Sequence, residues 1–340
     1  MGRRNVTLFL DGGTLVAAYE KAGETTNVSL GFESGGDMQI QAKAVADALG
    51  VEKADFVICP GGLLKPLAPG TYEICESASA DLSADRYGYH PYNRLALLCR
   101  DLARLLCAVA LMHNPLSSDS MLPLDRFSSM ARVKKQSRYY ACEHDALIWQ
   151  TARKSGRRYD EMRAIVAIVD NTVSIGAHDR CRCLDANDVF GAEGPMGFTS
   201  SGDLPVAKLA ALFMKGKADL AQMRDRLMNR SGVLAYLGTD SPEELDDMVG
   251  SGDEQAILIA DALAFQTAKW IGSGALLLKG EVDAIILSGK GVRSEAFAGR
   301  IKKLAGPIAP IVLEEKPDLA GYLGYVAGAA GTPVFPVRRY

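Results

Sequence analysis

Three aspartates are spaced along the chain at points where an extended run ends or a loop begins: Asp11, Asp119 and Asp170. Carboxylates are the oxygen ligands that hard divalent cations take, so the three together could form a metal site. Each also has a plainer reading. Asp11 enters the Gly12-Gly13 turn of a hairpin, and Asp119 follows Asn114-Pro115 in a turn-forming stretch. Cys181-Arg182-Cys183 has the look of half a metal site. No second ligand pair follows at zinc-like spacing, so two ordinary strand cysteines are expected. The basic group Arg132, Lys134, Lys135 and Arg138 reads as a solvated face.

The elements that must position these residues belong to a chain of 340 residues, long enough for two domains. Hydrophobic residues make up 48% and charged residues 23%, a balance that supplies sizeable cores. A net charge of −3 and a pI near 5.9 leave no basic excess to neutralise phosphates, which argues against nucleic acid. Seven scattered cysteines form no disulfide framework, which points to a reducing, cytoplasmic setting. The opening apolar run Val6–Leu10 is too short for a signal peptide. The most apolar later stretch, 95–112, is broken by Arg100, Asp101 and Arg104, so no membrane partner is expected.

The chain opens on a strand over 5–10, a Gly12-Gly13 turn and an extended run over 15–20, a hairpin signal. A helix is expected over 39–49, ended by Gly50, then a strand over 55–59 running into Pro60-Gly61-Gly62. The spacing predicts a long helix over 92–109 continued by apolar residues to Met112, then a loop over 114–129. After a helix over 144–154, strands over 163–169 and 172–176 repeat the opening pattern, which suggests a weak internal duplication. Helices follow over 205–213, 218–228 and 254–279, with Ser241-Pro242-Glu243-Glu244 as a capping signal between them. Strands are expected over 282–287 and 308–313, and a small-residue helix over 319–330. Hairpin, strand, helix and strand in both halves make an α/β architecture.

Several stretches resemble the butyrate kinases, members of the acetate kinase group within the sugar kinase, heat-shock ATPase and actin superfold. They are Gly61-Gly62-Leu63-Leu64-Lys65-Pro66 with Pro69-Gly70-Thr71-Tyr72; Tyr87-Gly88-Tyr89-His90 with Asn93; Ser174-Ile175-Gly176-Ala177-His178; and Glu193-Gly194-Pro195 with Ser201-Gly202. Gly232-Val233-Leu234-Ala235-Tyr236-Leu237-Gly238-Thr239 and Val282-Asp283-Ala284-Ile285-Ile286-Leu287 complete the set. The matches keep their order from about residue 5 to residue 330. The resemblance implies two actin-like, ribonuclease H-like domains with a cleft between them. The first would span 1–160, with helix 319–330 a candidate to pack back on it, and the second 161–340. It implies ATP and Mg²⁺ as cofactors and a reaction in which a short carboxylate such as butyrate takes the γ-phosphoryl of ATP. Two anions must then meet, which calls for cations, hydrogen-bond donors and a metal.

The departures fall where that chemistry should sit. The first-hairpin motif Asn-Pro-Gly-Ser-Thr-Ser-Thr-Lys is reduced to Asp11-Gly12-Gly13-Thr14-Leu15, and Asp11 would repel phosphate. Pro60 replaces an arginine and offers neither charge nor N–H. His-Leu-Gly-Gly-Gly becomes Ile168-Val169-Asp170-Asn171-Thr172: Ile168 replaces a histidine, and side chains at Asp170, Asn171 and Thr172 would hold a phosphate off the backbone. Arg-Ser-Gly becomes Ser200-Ser201-Gly202. In the adenosine motif, Gly289-Lys290-Gly291 carries a lysine that either crowds the nucleoside or reaches a phosphate. Retained or similar positions are Asp119, implied as the Mg²⁺ ligand, His90, Asn93 and Asp318. Asp318 reads equally well as a charge at a helix N-terminus, and His90 as a hydrogen-bonded structural histidine.

Three expectations follow. The first is a non-catalytic family member acting as a partner or regulatory subunit. Relatives associate through their second domain, so this implies a homodimer or a heterodimer with an active paralogue. The second is an active carboxylate kinase with a rearranged site, in which Lys65, Arg94, Lys290 and Arg293 are the replacement cations. The third is metal or small-molecule binding, through Asp11, Asp119 and Asp170.

Overall fold

The computed structural model describes residues 3–21, 23–128, 130–216, 219–333 and 335–340. Ser129 and Ala218, which bound the expected loop and one expected helix, lie outside them. The chain divides into two compact units. The first comprises Met1–Asp119, Tyr140–Ala146 and Asp318–Tyr340; the second comprises Ser120–Tyr139 and Leu147–Pro317.

The strands are β1 (Arg4–Asp11), β2 (Thr14–Lys21), β3 (Glu24–Gly31), β4 (Phe56–Pro60), β5 (Thr71–Glu73), β6 (Val109–His113), β7 (Arg163–Val169), β8 (Val173–Asp179), β9 (Arg182–Ala186), β10 (Ala284–Ser288), β11 (Ile311–Leu313) and β12 (Val337–Arg338). The helices are α1 (Met38–Leu49), α2 (Glu76–Ser83), α3 (Pro91–Leu105), α4 (Ala141–Lys154), α5 (Val206–Gly216), α6 (Leu220–Asn229), α7 (Gly232–Leu237), α8 (Pro242–Gly250), α9 (Glu254–Leu277), α10 (Glu295–Ala305) and α11 (Leu319–Ala329).

The first unit holds a sheet in the order β12-β5-β6-β4-β1-β2-β3. β1, β4 and β6 are parallel, and β1, β2 and β3 form an antiparallel meander. The Gly12-Gly13 turn closes the first hairpin between paired Asp11 and Thr14, with φ of 57° and 87°. A two-residue turn of the type that matches strand twist needs positive φ at both positions, which glycine adopts without a Cβ penalty. α3 begins at an N-cap, His90, whose Nδ1 accepts from the Tyr92 N–H at 3.1 Å, with Pro91 at its first position.

The structure corrects the reading of 92–112 as one helical run. α3 stops at Leu105, Cys107 takes a φ of 53°, and Val109 enters β6. A short apolar run satisfies strand and buried helix equally, so periodicity alone could not separate them. β3 lacked a sequence signal because its residues are mostly polar and exposed along the sheet edge. α11 packs on β1 and β4, where Gly324 passes Glu20 so closely that a Cβ would stand 2.9 Å from Oε2.

The second unit holds a sheet in the order β11-β10-β7-β8-β9. β7 pairs parallel with β10 and antiparallel with β8, so this unit also opens on an antiparallel meander. Its core strands are buried from Ala164 to Val169 and across the whole of β10. α9 starts where the Asp253 side chain accepts from the Ala256 N–H, and it ends at Leu277, two residues earlier than expected, because Lys279 has a φ of 57°. β11 covers only Ile311–Leu313, since Pro310 before it has no N–H for a ladder. Ser241 caps α8 as expected, but its own N–H goes to Thr239 Oγ1 rather than to a capping-box glutamate.

Each sheet has a point where successive connections leave in opposite directions. In the first unit it lies between β1 and β4, in the second between β7 and β10. Crevices beyond the carboxyl ends of such strand pairs are where open α/β sheets bind ligands.

Candidate functional site

In the first unit the predicted positions gather at the carboxyl ends of β1, β4 and β6. Asp11 ends β1, Pro60 ends β4, and Pro60 pairs with His113 at the end of β6. Arg3, beside the start of β1, donates to the carbonyls of Ala327 and Ala330 at the end of α11, whereas Tyr322 in the first turn of α11 meets His113. α11 therefore runs antiparallel to β1, which brings its N-cap, Asp318, to the same sheet end. The Asp318 carboxylate accepts from the Gly321 N–H at 2.9 Å, which is the helix-capping role. The Asp119 N–H donates to Leu67 O at 2.7 Å.

Asn93 is fully buried, and its amide is spent inside the protein. Oδ1 accepts from the Leu63 N–H at 2.8 Å, and Nδ2 donates to Asp85 and to Gly88 O, both at 2.9 Å. A Cβ on Gly62 would stand 2.3 Å from that Oδ1, so the Gly61-Gly62 pair serves close packing of this loop on α3. His90 packs edge-on against Tyr92 and Tyr140, and burial pushes its pKa down to about 4.

A network that the sequence reading missed lies beside this loop. Thr71 Oγ1 meets His113 Nδ1 at 2.9 Å, and His113 Nε2 meets the Tyr322 hydroxyl at 3.0 Å. Tyr322 also donates to Asp145, which accepts from Asn114 Nδ2 as well, while Asn114 Oδ1 holds the Gly70 N–H at 2.7 Å. Burial lowers the His113 pKa to about 3, so the ring is neutral. The signal was present as His113-Asn114-Pro115, but placing 109–112 in a helix hid the strand end that presents it.

In the second unit the turn between β7 and β8 is closed by the Asp170 N–H donating to Thr172 O at 3.0 Å. The Asn171 carbonyl accepts from the N–H groups of Thr199 and Ser200, both at 3.0 Å, and the Asp170 carbonyl accepts from that of Phe198. A Cβ on Gly197 would lie 2.3 Å from Asn171 O, and one on Gly202 2.4 Å from the Pro195 carbonyl carbon. Gly289 lies against the Val169 backbone and Gly291 against its side chain. Gly197, Gly202 and Gly289 therefore bring backbone against backbone. Ile168 and Ser200 are both buried.

Lys290 crosses from the end of β10 to this turn. Its ammonium lies 2.5 Å from Asn171 Oδ1, 2.7 Å from Asp240 Oδ2 and 4.9 Å from the Phe198 ring centroid. The other three candidate cations also have internal partners. Lys65 sits 4.0 Å over the Tyr340 ring, Arg94 grips both oxygens of Asp85, and Arg293 pairs with Glu243 at 3.4 Å.

Asp11 and Asp119 belong to the first unit and Asp170 to the second. Among the described residues no group of three or more His, Cys, Asp or Glu side chains could hold a metal ion. Cys181 is exposed and Cys183 buried with its thiol on Asp185 O, so that pair is no metal site either. No helix among the described residues is long and apolar enough to cross a membrane.

The fold is similar to that of solved acetate and propionate kinases. The Porphyromonas gingivalis acetate kinase matches with a TM-score of 0.74 at 15% identity, covering 96% of this chain and 98% of that one. A propionate kinase from Francisella tularensis matches with 0.73 at 12% identity, covering 95% and 98%. This is the actin-like superfold. In sequence, residues 138–305 match the acetokinase family. A "Probable butyrate kinase" of Listeria welshimeri is 35% identical over 278 residues, 81% of this chain and 78% of its own length. One from Maridesulfovibrio salexigens is 32% identical over 273 residues, 78% and 75% of the two chains. The chain belongs to the acetokinase family, in its butyrate kinase-like branch.

Proposed function

We propose that this chain keeps the family's fold but has lost most of its phosphoryl transfer, and serves as a partner or regulatory subunit. It would do so as a homodimer or paired with an active paralogue. The observation that carries this reading is the state of the cations. Transfer of a phosphoryl group between two anions needs positive charge aimed at the transferring group, and losing one such group costs on the order of 10²–10³ in rate. Pro60, Ile168 and Ser200 supply no charge. Of the four residues that could compensate, Arg94 and Lys290 are held in partly covered ion pairs, and Lys65 and Arg293 make only exposed contacts.

The family normally uses ATP and Mg²⁺. Mg²⁺ takes one or two carboxylates and otherwise water and phosphate oxygens, so Asp119 alone would suffice as its protein ligand. The triphosphate fits poorly. Gly202 and Gly289 lie against neighbouring backbone, although Gly12 and Gly13 are open, and Asp170 adds negative charge to the turn after β7. No catalytic step is therefore assigned to these residues.

The test is acyl phosphate formation. Purified protein at high concentration is incubated with Mg-ATP and short carboxylates, butyrate included, and the product is trapped as hydroxamate. The expected result is no product above a heat-treated control. Turnover at rates ordinary for such kinases would overturn the reading. Partner capture, beginning with an active butyrate kinase from the same cell, then tests the subunit role.

A further inference from the structure

The loops at the carboxyl ends of the paired strands β7 and β10 are bridged by one side chain. Lys290 leaves the loop after β10 and reaches Asn171 in the turn after β7, with Asp240, just beyond α7, as its ionic partner. An ammonium has three N–H donors. Here two go to Asn171 and Asp240, and the Phe198 ring faces the same charge. The lysine side chain is only 15% exposed, whereas Asp240 is 49% exposed. The ion pair holds the Asp240 carboxyl below its ordinary pKa.

We infer that Asp240 and Lys290 form a latch across the switch-point crevice of the second unit, which keeps the lysine from binding polyphosphate ligands there. The inference rests on the reading of this unit as a disabled nucleotide side, and it adds the device that keeps it shut. A polyphosphate needs a cation, and Lys290 reaches across these strand ends to the turn after β7. Serving a ligand would require it to give up Asp240, leaving that carboxylate beside the incoming phosphates. The two costs fall together, so an anion must displace a charge as well as bind one. Releasing the lysine without removing it should therefore open the crevice to anions.

The experiment is titration calorimetry of the full chain with ADP and, separately, with inorganic tripolyphosphate. It compares the unchanged protein, Asp240→Asn, Lys290→Met and the double variant, each with its melting temperature. Asp240→Asn keeps the shape of the side chain and, at a half-exposed position, should fold normally. Exposed ion pairs are worth a factor of about 2–5 in binding. Asp240→Asn is expected to tighten both ligands by about that factor, and Lys290→Met to abolish the gain in the double variant. Unchanged affinity in a normally melting Asp240→Asn protein overturns the latch. So does tighter binding by Lys290→Met alone, which would make the side chain an obstruction rather than a restrained ligand. The hydroxamate assay on the unchanged protein decides the non-catalytic reading separately, so either idea can fail without the other.

Discussion

Asn93 carries the clearest conflict between what its family position suggests and what its side chain does. Both of its N–H bonds and its carbonyl oxygen tie the Gly61–Leu64 loop and the Asp85–Gly88 turn to α3. Leaving the buried Leu63 N–H without its acceptor is costly, whereas Asp85 would keep both of its bonds to Arg94. Asn93→Ala is expected to destabilise the protein by about 2–4 kcal/mol in chemical denaturation. A residue kept only to touch ligand would show the opposite pattern, lost affinity with stability intact. Gly62 is bound to the same arrangement, because no Cβ fits beside Asn93.

At the scale of elements, the β9 strand carries a carboxyl in an unfavourable place. Burial, followed by the neighbouring Asp125 carboxylate, pushes the Asp185 pKa up to about 6, with Glu193 adding to the rise and Lys135 partly offsetting it. The folded state therefore holds this proton more tightly than the unfolded chain, whose value is near 3.8. The sign follows from linkage: the contribution favours folding fully below pH 3.8 and is lost as pH rises through about 6. Asp185→Asn is therefore expected to raise the melting temperature at pH 8, by the equivalent of about 1–2 kcal/mol after solvent screening. The difference should shrink towards pH 4. A lower melting temperature of Asp185→Asn at pH 8 would show that Lys135, not burial and the two acidic neighbours, dominates the site.

For the molecule as a whole, each unit buries a neutral histidine. His113 in the first unit and His178 in the second both have pKa values lowered to about 3 by burial. A histidine held neutral stabilises the fold above its unfolded value of about 6.5, and this is lost as pH falls towards the folded value. Each contributes a slope of about 1.4 kcal/mol per pH unit in that window, and so does His90, which burial lowers to about 4, so the three should give roughly 4 kcal/mol per unit between pH 6 and 4. Denaturant melts across that range are expected to show steep loss of stability in both units. His113→Gln should flatten the slope for the first unit alone.

The sequence by itself determined the family and the α/β class, and it marked the positions that differ from the family motifs it resembles. Those properties are written locally. A hairpin needs Gly12-Gly13, a buried strand needs the apolar run of β7, and a difference from the family motif stands at Pro60 or Ser200. It also offered a capping charge at Asp318 and a hydrogen-bonded histidine at His90 as alternatives to site roles, both readings that depend only on neighbours a few positions away. The tertiary structure decided what each remaining polar group is bound to. Asn93 reaches Leu63 across 30 residues, Lys290 reaches Asn171 across 119, and His113 reaches Tyr322 across 209. Such partners are fixed by sheet order and helix direction, which no periodicity encodes. The same limit explains the misplaced end of α3, since a run that is apolar on every face is compatible with helix or strand until a neighbouring strand supplies its hydrogen bonds.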